Sequence, residues 1–231
     1  MRISCSVFAL VACGLSLIPP TGHPASYTSQ PTAAPQTVSV TDVIARLQAR
    51  YDATAGFRAD FTQEVTSATL GQTVKSHGQV FFKKPGRMRW EFSEPAQTLV
   101  SDGTFLWFYQ PAENQVIKTP FQQAFRSNTP VSFLTGVGRL DQDFTVSLQD
   151  TTEQLYRLHL VPKHDPEAIG LLDLEVSTTT FDILQATITD PLGNTTRLRF
   201  TNIDREAVLD DALFHFTVPP GVDIVEALPT S

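Results

Sequence analysis

The run from Gly78 to Tyr109 (GQVFFKKPGRMRWEFSEPAQTLVSDGTFLWFY) limits what this chain can fold into more than any other part of it. It divides into short strands at three turn signals, Lys84-Pro85-Gly86-Arg87, Ser93-Glu94-Pro95-Ala96 and Ser101-Asp102-Gly103-Thr104. Between the turns nearly every residue is aromatic, β-branched or long and aliphatic, which suits a pleated sheet. Successive strand residues point to opposite faces, so Val80, Phe82 and Lys84 share one face while Phe81 and Lys83 share the other. The run predicts a curved, very apolar sheet, and nothing in it looks like chemistry on a substrate.

The flanking sequence continues the β pattern around a few helices. Ser39-Val40-Thr41-Asp42 has the spacing of a helix start, and Val40, Val43, Ile44, Leu47 and Tyr51 follow on one face of a helix of about four turns. Phe57 to Val65 alternates, with Phe57, Ala59, Phe61 and Val65 on one side. Further strands are expected at Gln115–Lys118, Phe144–Leu148, Gln154–Val161, Leu171–Ser177, Leu184–Asp190 and Thr195–Ile203. A final edge strand is expected within 213–222, limited by Pro219-Pro220. Residues 121–138 break the alternation and predict a helical pair, with Pro130 at a first helical position and Phe133 and Leu134 on its apolar side. Ten or so antiparallel strands in one sheet must curl or close, and the helices are too few to cover both faces. The expected class is mainly β with α: an unclosed antiparallel β-barrel, or half-barrel, whose mouth is plugged by helices.

Residues 1–25 read as a secretory signal peptide: Arg2, then an apolar run from Ile3 to Ile18, then small residues near Ala25. Residues 26–38 are a Ser/Thr/Pro linker, and 39–231 one domain. Leu10-Val11-Ala12-Cys13 also resembles a bacterial lipobox, which would make Cys13 a lipidated N-terminus and the protein a membrane-anchored receptor or lipid-binding module. Both cysteines, Cys5 and Cys13, lie in this segment, so a chain cut near Ala25 has no disulfide to staple it. Losing Arg2 takes the net charge from −7 to −8, which argues against nucleic acid and against adsorption to an anionic membrane. The 16 Phe against 4 Tyr and 2 Trp call for a large core, or a greasy cavity beside one.

No catalytic or cofactor motif is present, whether nucleophile elbow, P-loop, H-E-x-x-H or C-x-x-C. His159 and His164 fall in a strand and an acidic loop without a cysteine, and solvated histidines explain them better than a metal site. Glu91 with Glu94, and Asp141 with Asp143, are strand and turn carboxylates rather than an acid–base pair. In the basic hairpin Lys83-Lys84-Pro85-Gly86-Arg87-Met88-Arg89, Lys83 and Arg87 read as solvated. Lys84 ends the inward row, at the rim of an apolar interior, where it could meet the C-terminal carbonyls of a helix.

Phe57-x-Ala59-x-Phe61-x-Gln63, Gly78-x-Val80-x-Phe82, Lys83 through Glu91, Leu99-Val100-Ser101-Asp102-Gly103 and Leu106-Trp107-Phe108-Tyr109-x-Pro111 occur in order, followed by Gln115-Val116, Asn128-Thr129-Pro130 and Phe216 through Gly221. Together these resemble the periplasmic carriers of outer-membrane lipoproteins, the LolA family, over nearly all of residues 40–222. The resemblance implies an unclosed antiparallel barrel with a helical lid, no enzymatic activity and no cofactor. It implies a monomeric periplasmic shuttle that accepts triacylated lipoproteins from an inner-membrane ABC lipoprotein-releasing complex and passes them to an outer-membrane lipoprotein receptor. The acyl-chain cavity would be lined by Val80, Phe82, Trp90, Phe92 and Leu99. Val43, Leu47, Phe133 and Leu134 would form the lid, Lys84 would stand where the family has a latch arginine, and Met88, at the hairpin tip, would dock the inner-membrane partner.

Overall fold

A computed structural model of the protein describes residues 38–124, 139–164 and 170–226. The signal-peptide and linker assignments, Cys5, Cys13, Phe133 and Leu134 lie outside them. The first element is the expected amphipathic helix, α1 (Val40–Ala53). Ser39 caps it, its Oγ accepting the Thr41 amide at 3.2 Å, and Asp42 in the first turn complements the helix dipole. Val43, Leu47 and Tyr51 are buried along one stripe.

Twelve strands follow: β1 (Gly56–Thr66), β2 (Thr73–Lys83), β3 (Arg87–Ser93), β4 (Ala96–Asp102), β5 (Phe105–Gln110), β6 (Gln115–Pro120), β7 (Phe144–Thr151), β8 (Leu155–Pro162), β9 (Leu171–Ser177), β10 (Ile183–Thr189), β11 (Thr195–Asp204) and β12 (Asp223–Glu226). They form one sheet in the order β12-β6-β5-β4-β3-β2-β1-β11-β10-β9-β8-β7, with β7 and β12 at its two edges among the described residues. Two antiparallel meanders, β1 to β6 and β7 to β11, meet where β1 pairs with β11. The barrel is therefore unclosed, as the strand pattern led one to expect. Its curvature follows from α1, which touches β7 and is bonded to Lys84 just past β2, six strand positions away. Flat, those six steps would span roughly 29 Å, far more than the ~10–12 Å diameter of a helix, so the sheet wraps around α1.

Two shorter helices complete the described part, α2 (Phe121–Ala124) and α3 (Leu140–Asp143). The first is the start of the expected helical pair, whose remainder falls outside the described residues. The second contains Asp141 and Asp143, read from the sequence as strand and turn carboxylates; Asp143 instead accepts the Arg139 amide at 2.8 Å and caps the helix.

The concave face carries the main core, with Phe57, Ala59 and Phe61 of β1 facing Phe82, Val80 and Gly78 of β2 in register. Val65, on the same side, is already exposed at the strand end. A Cβ at Gly78 would run into the Glu91 carbonyl of β3, so only glycine lets β2 and β3 close beneath the Phe61 ring.

The chain end departs from expectation. The edge strand lies beyond Pro219-Pro220, and it pairs with β6 in parallel, because the chain first crosses the convex face and returns on the far side. On that crossing a 3-10 turn (Asp211–Phe214) buries Leu209 and Phe214 with Val100 and Val116. Lys83 and Arg87 are not solvated as their turn position suggested. The Lys83 ammonium donates to the Leu209 carbonyl at 2.7 Å and to Asp211 Oδ1 at 2.5 Å, and Arg87 reaches the same oxygen at 2.6 Å. Lys83, more than Arg87, holds the Asp211 carboxyl below the usual range of 3.8. A carboxyl lowered in the folded state stabilises it above the unfolded value and ceases to as pH falls through the folded one. Acidification to below the unfolded value of 3.8 is therefore expected to loosen this strap. The indole NMR signal of Trp107, packed on Phe216 at 6.3 Å, reports it, and in Asp211→Asn that acid-dependent change should be gone.

Candidate functional site: an apolar concave face under a pinned helix

Register places the expected cavity wall on one face. Val80 opposes Trp90, Trp90 opposes Leu99, and Gly78 opposes Phe92. Val80, Phe82 and Trp90 are buried, and Phe92 and Leu99 half-buried. The rings interlock: Phe61 meets Trp90 edge-on at 4.8 Å and Phe92 at 5.0 Å, Phe57 lies 5.0 Å from Phe82, and Phe200 of β11 lies 6.2 Å from Trp90. The buried stripe of α1 joins the same cluster through Val43, Leu47 and Tyr51. Among the described residues the space over the expected wall is filled by these side chains.

Charges hold the C-terminal end of α1 from two sides. On the β2 side, the Lys84 ammonium donates to the Tyr51 carbonyl and, at 3.3 Å, to the Asp52 carbonyl, while its amide bonds Ala55 O at 2.8 Å. These are orphan carbonyls at the negative end of the helix dipole, where a cation fits best. Burial pulls the Lys84 pKa below its usual value, with the Asp52 carboxylate opposing. On the β10–β11 side, buried Asp182 pairs with Arg205 and, at 3.9 Å, with Arg50 of α1. Tyr51 sits between, its phenol pushed up to about 12 by burial. Sequence reading found Lys84 because strand alternation placed it. It missed Asp182 and Arg205, which lie outside any amphipathic pattern and gain meaning only when β10 and β11 meet α1.

Among the described residues, the β7 side differs from the other two. A groove of about 460 Å³ runs between α1 and the β7 edge, lined by Ile44, Ala45, Ala49, Phe144 and Val146 with a polar rim that includes Arg139 and Asp141. Gln48 crosses it, bonding Asp52 at 3.0 Å and accepting the Leu140 amide at 3.4 Å. A glutamine on the apolar stripe of α1 was the available signal for that tie.

Against this geometry, the family model described as outer membrane lipoprotein carrier protein LolA matches residues 52–217. The chain belongs to the LolA family. A Methylococcus capsulatus protein named outer-membrane lipoprotein carrier protein is 33% identical over 184 residues, covering 78% of this chain and 86% of that one. One from Nitrosomonas europaea with the same name is 31% identical over 170 residues, covering 73% and 82%. An uncharacterised conserved protein from Thermus thermophilus shares the fold, with a TM-score of 0.53 at 13% identity, over 82% of this chain and 100% of that one.

One residue of this LolA chain is not where the resemblance put it. Met88 is not at the hairpin tip and presents no docking surface in this form, being 0% exposed. The turn is Lys84-Pro85-Gly86, and Met88 opposes Phe82 one pair inside β3, so alternation turns it inward with Phe82 and Trp90.

Proposed function

We propose that this LolA-family protein is a non-enzymatic periplasmic carrier of outer-membrane lipoproteins, holding their acyl chains against the concave face. One observation carries the reading: an amphipathic helix lies on an apolar, aromatic sheet face and is held at its end only by side chains, the Lys84 ammonium across two carbonyls on one side and the Arg50–Asp182 pair on the other. Such a cover can leave without breaking a strand. Burying an acyl tail of about sixteen carbons is worth roughly 12 kcal/mol gross, so an open greasy trough would release its cargo into water far too slowly. A cover that closes favourably over the empty face competes with cargo and lowers its apparent affinity by the cost of opening. Handover by direct contact then becomes feasible. The partners this reading requires are triacylated lipoproteins, an inner-membrane ABC lipoprotein-releasing complex as donor and an outer-membrane receptor as acceptor, with the carrier acting as a monomer.

The test is release of a lipoprotein from inner-membrane vesicles by the purified mature protein. A soluble one-to-one complex is expected. No release by a folded sample sinks the reading.

A further inference from the structure

Among the described residues two buried side-chain atoms make no hydrogen bond, Trp90 Nε1 and Asp182 Oδ1, and the second faces the Arg205 guanidinium as an ion pair, so the indole alone has nothing to bond. Trp90 is 4% exposed, and its Nε1 meets no acceptor. The others are served: Gln48 by Asp52 and Leu140, Ser101 by the Gly103 amide, Ser177 by the amides of Thr179 and Thr180, and Asp182 by Arg205. An indole nitrogen is a donor only, and a buried donor without an acceptor raises the free energy of the state that contains it.

The rings against Trp90 are all phenylalanines, Phe61, Phe82, Phe92 and Phe200, and none of them offers its N–H an acceptor oxygen or nitrogen. The chain's other tryptophan, Trp107, is half-exposed on the convex face, where water can take its N–H. Trp90 is thus the one unsatisfied polar side chain of this wall, two residue pairs deeper in the β2–β3 hairpin than Phe82 and Met88, whereas Ser101, opposite Met88, is bonded.

We propose that Trp90 is a specificity-determining donor of the cargo site, its indole N–H binding the carbonyl of an acyl ester or amide once cargo parts the aromatic cluster. This rests on the carrier reading and adds what the cargo must contain. A hydrocarbon tail has no acceptor, so an all-Phe wall holds an alkyl chain as readily as an acyl chain. One N–H separates them, because only the acyl group relieves the orphan donor. The bond also favours the loaded form over the closed empty one, since the donor is unsatisfied only in the latter. Being a single neutral hydrogen bond, it stays weak enough to hand over.

The experiment compares three lipopeptide probes of equal chain length: one with two ester chains and an N-acyl amide, one with two ether chains and the amide, and one with two ether chains and no N-acyl group. Binding is measured for the wild type and for Trp90→Phe. The variant is expected to bind the first probe about tenfold more weakly, ~1.4 kcal/mol, and the third unchanged. Loss on the first probe only assigns the ester carbonyl, and loss on the first and second assigns the amide. In the wild type, the Trp90 indole proton signal, told apart from that of Trp107 by the Trp107→Phe variant, should move downfield with the first probe and stay with the third. Equal loss on all three probes, or no loss and no shift with the first, overturns the proposal while leaving the carrier reading intact. A wild type that binds none of them overturns both.

Discussion

Replacing Lys84 by leucine is expected to loosen the C-terminal end of α1 on its β2 side, the Arg50–Asp182 pair remaining on the other, while leaving the sheet folded. The lysine's bonds to the Tyr51 and Asp52 carbonyls involve a charged donor, a class worth about 1.5–3 kcal/mol net when removed. Lys84 is only partly buried, so the lower end applies, and the closed state should lose about tenfold in population against open ones. The downward shift of its pKa points the same way: keeping the ammonium charged costs the closed form something at neutral pH, so the net latch is modest. Amide hydrogen exchange in the last turns of α1 should quicken by about that factor while β1 and β2 keep their protection. Cargo should be held more tightly and passed on more slowly, because closure no longer competes with it. Lys84→Arg is the informative control. A planar fork matches two adjacent carbonyls and tolerates desolvation better, so it should preserve or strengthen closure. Unchanged exchange in α1 together with unchanged transfer by Lys84→Leu would refute the latch.

Met88→Ala is expected to cost about 2–5 kcal/mol of stability, the range for truncating a fully buried large side chain. Met88→Leu, which conserves volume, should cost under about 1.5 kcal/mol. Denaturant midpoints with unchanged slope measure both. The outcome separates two views of this residue. A docking residue truncated to alanine would keep its midpoint and lose only uptake from the donor membrane. A core residue loses its midpoint first, and the defect follows from the fold. An unshifted midpoint for Met88→Ala would mean that the β2–β3 interior is already open in solution.

The features readable in advance were those that repeat along the chain. The stripe Val43, Leu47, Tyr51 identified α1, and two-residue alternation identified the inward rows of β1 and β2, with Lys84 at the end of one. The hairpin order of β2 to β6 followed from turn residues. Each of these depends on neighbours within a few positions. What misled was also local: Lys83 and Arg87 sit beside a turn and looked solvated, but their partner Asp211 lies more than a hundred residues on. Met88 was placed by likeness to a motif, although its own alternation with Trp90 already turned it inward.

By itself the sequence determined that the protein is a curled antiparallel sheet with an apolar face and a helix to cover it, because periodicity and turn chemistry are local properties. Only the tertiary structure decided which charges hold the cover and what lies beside it. Lys84 needed a helix end within reach, Asp182 needed Arg205, and the groove beside β7 needed that strand to come next to α1. The same is true of the unpartnered Trp90 nitrogen: a tryptophan among phenylalanines is visible in the chain, but whether its donor meets an acceptor depends on what the folded strands bring around it.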